Sequence, residues 1–497
     1  MVNCNNRLLC PRHTAGKKDY EGDKVESSAS ILHHIKIAHL MADYSLTYNP
    51  LFFGQFALLQ DFAANWNVLR YNNRNIPVRH YYLGSNVSGA FSKAVPDPTG
   101  NNHAYIDTVS QLCEEGLPVF ALSHFIHKDS LALLQLCDLK SHFPNLVLLV
   151  ILHCTRDEFL RPWSDSTPLH NKRSRRQAKR AEDFRFSLSL LAKKGAVDAF
   201  IAVSESTKQS YIKMGKTPSI SPDLITVIDN GVDVKFYLIP GRGKKAKYRL
   251  KYGIPGGMVI GCTNRWTQTK GKDILESLLD HLEREANTFP TTFLFPLIIH
   301  DQLFQFIKSI PKRYPRLYEM NRIRGFLDVS KLKISPFKCN LAAIKRKYHS
   351  EIQKQAKSIL KVFNRISMGF LDHPIYTLLD VYLRPSIAEA FGLSIVEAYF
   401  CGIPVLGSNR GGCGQLILPE HQVYYTSDIN LHSCSENPAN QAYLKAINQV
   451  SEAFFKLLTM TARAPLPARI LRTRMIRAGY STRKMIGRYN RFLRRFL

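Results

Sequence analysis

The sequence predicts an α/β protein of two domains, each built on a parallel sheet. Three observations carry this reading. Short apolar, β-rich runs alternate with helical stretches along most of the chain. The stretch from Asp380 to Leu416, DVYLRPSIAEAFGLSIVEAYFCGIPVLGSNRGGCGQL, reads as strand, loop, helix, strand, which is a βαβ crossover. The length of 497 residues is enough for two full cores, and a hydrophobic content of 45% is that of a globular chain.

Composition narrows the classes. No window approaches the eighteen apolar residues that a membrane-spanning helix needs. The ten cysteines are scattered without paired spacing, which with the lack of a secretory signal points to a reducing cytosol. Cys4, Cys10 and His13 have poor spacing for zinc, and no second pair follows. The formal net charge of +29 suits a solvated basic surface, an anionic membrane face or a nucleic acid.

Residues 1–30 lack periodicity and read as a mobile arm. The first domain is expected over 31–235. Ile35 to Leu40 is its first strand, and a loop through Asn49-Pro50 reaches Phe53-Gly54 and a helix to about Trp66. Further strands are expected at Val78 to Leu83, Val119 to Leu122, Leu146 to Leu152 and Ala199 to Val203. The strand at Leu146 ends in His153, and a histidine at the carboxyl end of a strand can point into a cleft. Residues 170–185, HNKRSRRQAKRAEDFR, form a basic surface stretch. Ser204 is placed to cap a helix running to about Met214, and Asn230-Gly231 is a turn signal. Residues 240–257 read as an interdomain linker.

The second domain is expected over 258–465. After its first strand, Met258 to Gly261, the loop carries Arg265 and Lys270, with Gly271 entering a helix. A forked donor, a point charge and nearby helix N–H groups suit a diphosphate. Another strand runs from Phe293 to Ile299. Residues 320–363 look inserted, and Gly325-Phe326-Leu327-Asp328 within them echoes Gly369-Phe370-Leu371-Asp372. In the βαβ unit, Glu389 lies in the loop at the carboxyl end of a strand and Glu397 lies in the following helix. Carboxylates accept paired hydroxyl donors, and the free N–H groups of Phe391, Gly392, Leu393 and Ser394 favour a phosphate. Beyond a helix from about Gln441 to Thr459, residues 468–497 form a basic, amphipathic helical tail with Ile470, Met475, Ile476, Met485, Ile486, Phe492 and Phe496 at roughly helical spacing.

The string Pro-Ser, Glu-Ala-Phe-Gly-Leu, Val-Glu-Ala, Gly-Ile-Pro-Val and Gly-Gly, with its spacing intact, resembles the donor-site signature of retaining GT-B glycosyltransferases, family four in particular. The resemblance implies two Rossmann-like domains facing across a cleft, with the last helix crossing back onto the first domain. It implies that Arg265 and Lys270 clamp a diphosphate, that Glu389 holds hydroxyls of the donor sugar, and that Glu397 holds the ribose. His153 would lie close to the transferred sugar, and the loop at Gly54 would touch donor or acceptor. The implied activity moves a sugar from a nucleotide-sugar, UDP- or GDP-linked, to a glycan or lipid-linked acceptor with retention, in cell-surface polysaccharide or glycolipid synthesis. No metal and no cofactor are expected, since no Asp-x-Asp motif lies near the site. A cytoplasmic protein, held peripherally on an anionic membrane surface by the basic tail, fits the same reading. The alternatives are a catalytically inactive GT-B scaffold and a basic nucleic-acid binder, although no nucleic-acid-binding module is recognisable.

Overall fold

The computed structural model describes residues 34–40, 62, 65–84, 94–96, 103–124, 130–153, 188–212, 220–297, 301–328, 346, 350, 362, 367–371, 374–426, 429 and 441–497. The arm, Gly54 and the basic stretch 170–185 lie outside these residues. Among them the chain forms two sheets.

The first sheet has the order β2-β3-β1-β5-β6-β7-β8, with β4 added on β3. Its strands are β1 (Ile35–Leu40), β2 (Val68–Tyr71), β3 (Arg74–Gly84), β4 (Ala94–Pro96), β5 (Val119–Ser123), β6 (Leu146–Leu152), β7 (Ala199–Ala202) and β8 (Ile225–Val227). All pairings are parallel except β2 with β3. That hairpin was not expected from the sequence. Its turn, Asn72-Asn73, has φ of 45° and 60°, the left-handed pair of a type I′ turn that matches strand twist. In β6 every residue is apolar and buried. Leu146, Leu148, Val150 and Leu152 face one cluster, while Val147, Leu149 and Ile151 face another. A parallel sheet covered on both faces produces such an unbroken apolar run. Helices α1 (His103–Glu114) and α2 (Ser130–His142) contribute to the first of these clusters through Leu112 and Leu136.

Helix α3 (Glu205–Ile212) follows β7. The Thr207 N–H donates to Ser204 Oγ at 3.0 Å, so Ser204 caps the helix as its position predicts. The presumed linker contains a helix, α4 (Arg242–Lys251). Lys245 and Arg249 on it pair with Asp380 at 2.7 Å each, and Val259 N–H donates to the same carboxylate at 2.8 Å. Its basic run therefore belongs to a docked helix. Lys, Arg, Ala and Leu are good helix formers, and their cations have a carboxylate to meet.

The second sheet is parallel throughout, in the order β12-β11-β10-β9-β13-β14-β15. It comprises β9 (Met258–Gly261), β10 (Thr291–Pro296), β11 (Ile323–Asp328), β12 (Ser367–Leu371), β13 (Val381–Arg384), β14 (Val405–Ser408) and β15 (Gln422–Val423). The insertion expected near 320–363 therefore begins too early. Residues 323–328 form β11, a sheet strand between β10 and β12. The two echoing segments are neighbouring parallel strands, with Leu327 opposite Phe370. Helices α5 (Lys272–Arg284), α6 (Asp301–Arg313), α7 (Pro315–Glu319), α8 (Leu393–Phe400), α9 (Gly411–Leu416) and α10 (Gln441–Arg463) complete this half.

The tail is two helices, α11 (Ala468–Ala478) and α12 (Thr482–Leu493), broken at Gly479. Arg472 donates to Val234 O at 2.9 Å and also reaches the carbonyls of Tyr237 and Phe400, tying α11 to both halves. Helix α12 packs on the first sheet: Trp66 Nε1 donates to Asn490 Oδ1 at 2.7 Å, and Tyr489 meets Phe62 edge-on. Met475, Met485, Ile486 and Phe492 are buried, whereas Ile470 and Ile476 are exposed. Most of the amphipathic face is thus spent inside the fold, and the outward side is mainly arginine.

Candidate functional site

In the second sheet, β9 is followed by β10 on one side while β13 lies on the other. The chain reverses its direction of growth there, and such switch points open a crevice at the carboxyl ends of the strands. The loops after β9 and β13 flank this point, and they carry Lys270 and Glu389.

The two loops are joined by backbone as well as side chains. Ile387 N–H donates to Thr269 O at 2.9 Å. Gly271 has φ of +81°, and a Cβ there would lie 2.1 Å from the Pro385 carbonyl oxygen. Only glycine permits both that backbone and that approach. Below the loop, Gly412 N–H donates to Glu389 O at 2.8 Å, and a Cβ on Gly412 would meet the Ala390 carbonyl at 2.6 Å. The Gly-Gly of the sequence signature is the floor on which the Glu389 loop rests.

Glu389 Oε2 accepts from Lys270 Nζ at 3.0 Å and from Arg384 Nη2. Lys270 also donates to Ala388 O at 3.3 Å. The three side chains are nearly buried, with exposures of 11%, 11% and 9% for Lys270, Glu389 and Arg384. Burial alone would push the Glu389 carboxyl up, but the charges and hydrogen bonds of Arg384 and Lys270 outweigh it and hold it down to about 2. Burial opposes the Arg384 charge as well, and the Glu389 charge overcomes that and raises its pKa. The trio carries a net positive charge at neutral pH.

Arg384 was not singled out in the sequence. It ends β13, whose residues are all buried. A cation closing a buried apolar strand must find a partner, and that was the available signal. Arg265 lies half-buried on the same loop as Lys270, with its carbonyl accepting from Thr267 N–H at 2.9 Å. Glu397 is only 4% exposed, and Tyr376 Oη donates to its Oε2 at 2.6 Å. Burial first, and then the Glu397 charge, push the Tyr376 hydroxyl pKa well up, so it remains a donor. Phe391 is buried and meets Tyr480 edge-on at 5.9 Å, while Gly392, Leu393 and Ser394 begin α8. The first N–H groups of a helix lack intrahelical acceptors.

The first sheet touches this loop directly. Ser204 Oγ donates to Ala390 O, and Thr207 Oγ1 donates to the same carbonyl at 3.3 Å. His153 follows β6, in the strand beside β7, and Val203 N–H donates to Leu152 O at 3.4 Å. His153 therefore stands near the meeting point of the two halves.

Residues 337–452 match the family model described as glycosyl transferases group 1. Glu389, Arg384 and Glu397 fall inside that segment. Sucrose synthase 6 of Oryza sativa subsp. japonica is 30% identical over 134 residues, which are 26% of this chain and 15% of that protein. This chain thus matches only a small part of that relative's length. A glycosyltransferase structure from Rickettsia africae ESF-5 shares 16% identity at a TM-score of 0.54, covering 93% of this chain and 98% of that one. Sucrose-phosphate synthase from Thermosynechococcus elongatus shares 14% identity at a TM-score of 0.53, covering 93% and 99%. The fold is GT-B, two α/β halves each on its own sheet. The segment of the second half that matches the group 1 glycosyltransferase model contains the signature string from Pro385 to Gly412.

The cluster gives a pH expectation. The folded Glu389 carboxyl lies below its unfolded value of about 4.3, so its contribution is fully present above that value and is lost as pH falls from there toward about 2. Urea midpoints of the wild type should fall over this window, and Glu389→Gln should lose less over the same window. Parallel profiles for the two proteins would show that the ion cluster does not contribute this linkage.

Proposed function

We propose that this chain is a retaining, metal-independent glycosyltransferase that takes a sugar from a nucleotide-sugar, UDP- or GDP-linked, to a glycan or lipid-linked acceptor. The observation that carries the reading is the net-positive, buried Lys270–Glu389–Arg384 cluster at the switch point between β9 and β13. A departing nucleoside diphosphate gains negative charge as the bond to the sugar breaks. Cations fixed in a site of low water content stabilise that charge without reorganising.

In this reading Lys270 and Arg265 face the diphosphate, and the N–H groups leading into α8, from Phe391 to Ser394, face phosphate or sugar. Arg384 neutralises Glu389, keeps it ionised and leaves Lys270 more available to phosphate. Glu389 accepts from sugar hydroxyls. Glu397, held by Tyr376, accepts from the ribose hydroxyls. The leaving phosphate takes the acceptor proton on the face from which it departs, which gives retention.

The test is nucleotide release from a panel of UDP-, GDP- and ADP-sugars without added metal, wild type beside Glu389→Ala. One donor should be turned over by the wild type, and the variant should be slower by at least about 10²-fold. Neither turnover nor binding of any donor would overturn the reading in favour of an inactive GT-B scaffold.

We place the protein peripherally on an anionic membrane face, where a lipid-linked acceptor lies. Because the apolar side of α11 and α12 is largely buried, adhesion would be by charge rather than insertion. Co-sedimentation with phosphatidylserine vesicles should be strong at low salt and lost near 1 M salt, where the Debye length is about 3 Å. Retention at high salt, or no binding at low salt, would contradict this placement.

A further inference from the structure

The first sheet carries a second polar device at its own carboxyl edge. Four histidines, on or directly after four neighbouring strands in the spatial order β3, β1, β5, β6, are linked nitrogen to nitrogen. His80 Nδ1 lies 2.8 Å from His39 Nε2, His39 Nδ1 lies 3.1 Å from His124 Nε2, and His124 Nδ1 lies 3.0 Å from His153 Nε2. Two imidazoles sharing a zinc ion would hold their nitrogens farther apart, since each bond is about 2.0–2.1 Å. These separations are those of hydrogen bonds.

A chain of neutral imidazoles has two possible polarities. Either every ring carries its proton on Nε2, or every ring carries it on Nδ1. Within the chain the two are equivalent. The far end breaks the tie: His80 Nε2 lies 2.6 Å from the carbonyl oxygen of Trp66. A carbonyl only accepts, so His80 must donate from Nε2. His80 Nδ1 then accepts from His39 Nε2–H, His39 Nδ1 accepts from His124 Nε2–H, and His124 Nδ1 accepts from His153 Nε2–H. The opposite polarity would set a lone pair against the carbonyl and forfeit a hydrogen bond, a disadvantage of about tenfold or more in population.

Trp66 is itself fixed, because its indole N–H donates to Asn490 Oδ1 of α12 at 2.7 Å. His39 and His124 are fully buried, and the ring centroids lie 5.1 to 5.3 Å apart, with His39–His80 and His124–His153 stacked and His39–His124 tilted. Burial lowers the pKa of His153 to about 3 and lowers those of His39 and His124 well below the usual value, so these rings are neutral at pH 7.

We propose that His39, His80 and His124 are positioning residues that fix His153 as its Nε2–H tautomer, so that His153 offers a bound sugar a hydrogen-bond acceptor at Nδ1 and no proton. The assignment of a sugar as the group it meets rests on the transferase reading; the tautomer does not. One nitrogen polarity, set by the Trp66 carbonyl, is carried across four strands to the residue beside the Ser204–Ala390 contact.

The experiment is two-bond 15N–1H correlation on 15N-histidine-labelled, ligand-free protein at pH 7, with His153→Gln used to assign the His153 signals. His153 in the wild type should be one tautomer, protonated at Nε2 and bare at Nδ1. His124→Phe, which keeps a ring in the stack but cuts the chain, should turn His153 into a mixture of tautomers, and His80→Phe should do the same from the far end. Protonation of His153 at Nδ1 in the wild type would overturn the proposal, and so would an unchanged His153 tautomer in folded His124→Phe and His80→Phe. Because no donor is present, these outcomes are independent of whether the chain transfers sugar.

Discussion

Glu389 is held between Lys270 and Arg384, and the architecture of the second half serves that contact. Bringing three charged groups out of water is costly, and the arrangement survives because each has a partner at hydrogen-bond distance. The partners come from the loop after β9 and from the end of β13, which are far apart in sequence. Their approach depends on the absence of a side chain at Gly271, on the Thr269–Ile387 backbone contact, and on the glycine floor at Gly412. The cluster thus sits beyond the carboxyl ends of the paired strands β9 and β13, at the switch point of the sheet.

The same geometric logic recurs in the first sheet, with a different chemistry. There the switch point lies between β1 and β5, and the groups at the carboxyl edge are hydrogen-bonded histidines, of which His39, His124 and His153 are held neutral by burial. One site supplies fixed charge and the other a fixed acceptor. The two edges meet where Ser204 and Thr207 donate to the Ala390 carbonyl. An apolar cluster runs from β6 through α12 and α11 to α8, so the relative placement of the two edges is backed by shared core. Arg472, bonded to carbonyls on both sides of that core, fixes α11 within it.

Much of this was legible in the chain. Strands β1, β5, β6, β7, β9, β13 and β14 announce themselves because strands buried on both faces are short apolar runs. The loop bearing Glu389 stood out through the resemblance of its whole string to a glycosyltransferase donor-site signature, since the spacing of its two carboxylates alone also suits surface charges. What was missed has physical reasons. The β2–β3 hairpin turns on Asn72-Asn73, which lacks the glycine that marks most such turns. Helix α4 hid behind a glycine-rich, basic opening, because the carboxylate that anchors it, Asp380, lies far along the chain. Strand β11 was assigned to an insertion because its equal, β12, is a near copy of it. Arg384, Tyr376 and the histidines at 39, 80 and 124 each take their meaning from a partner remote in sequence, which a reading of local pattern cannot supply.

The most direct measurement of the central claim is calorimetric titration with uridine and guanosine diphosphate, for the wild type and Glu389→Gln at low salt. Neither ligand carries the transferred sugar, so only the charge of the cluster is at issue. If Glu389 offsets the charges of Lys270 and Arg384 against a phosphate, Glu389→Gln will bind the preferred diphosphate several-fold more tightly than the wild type, and the difference will shrink as salt is added. Equal or weaker binding by a folded Glu389→Gln would mean that the cluster does not face the diphosphate.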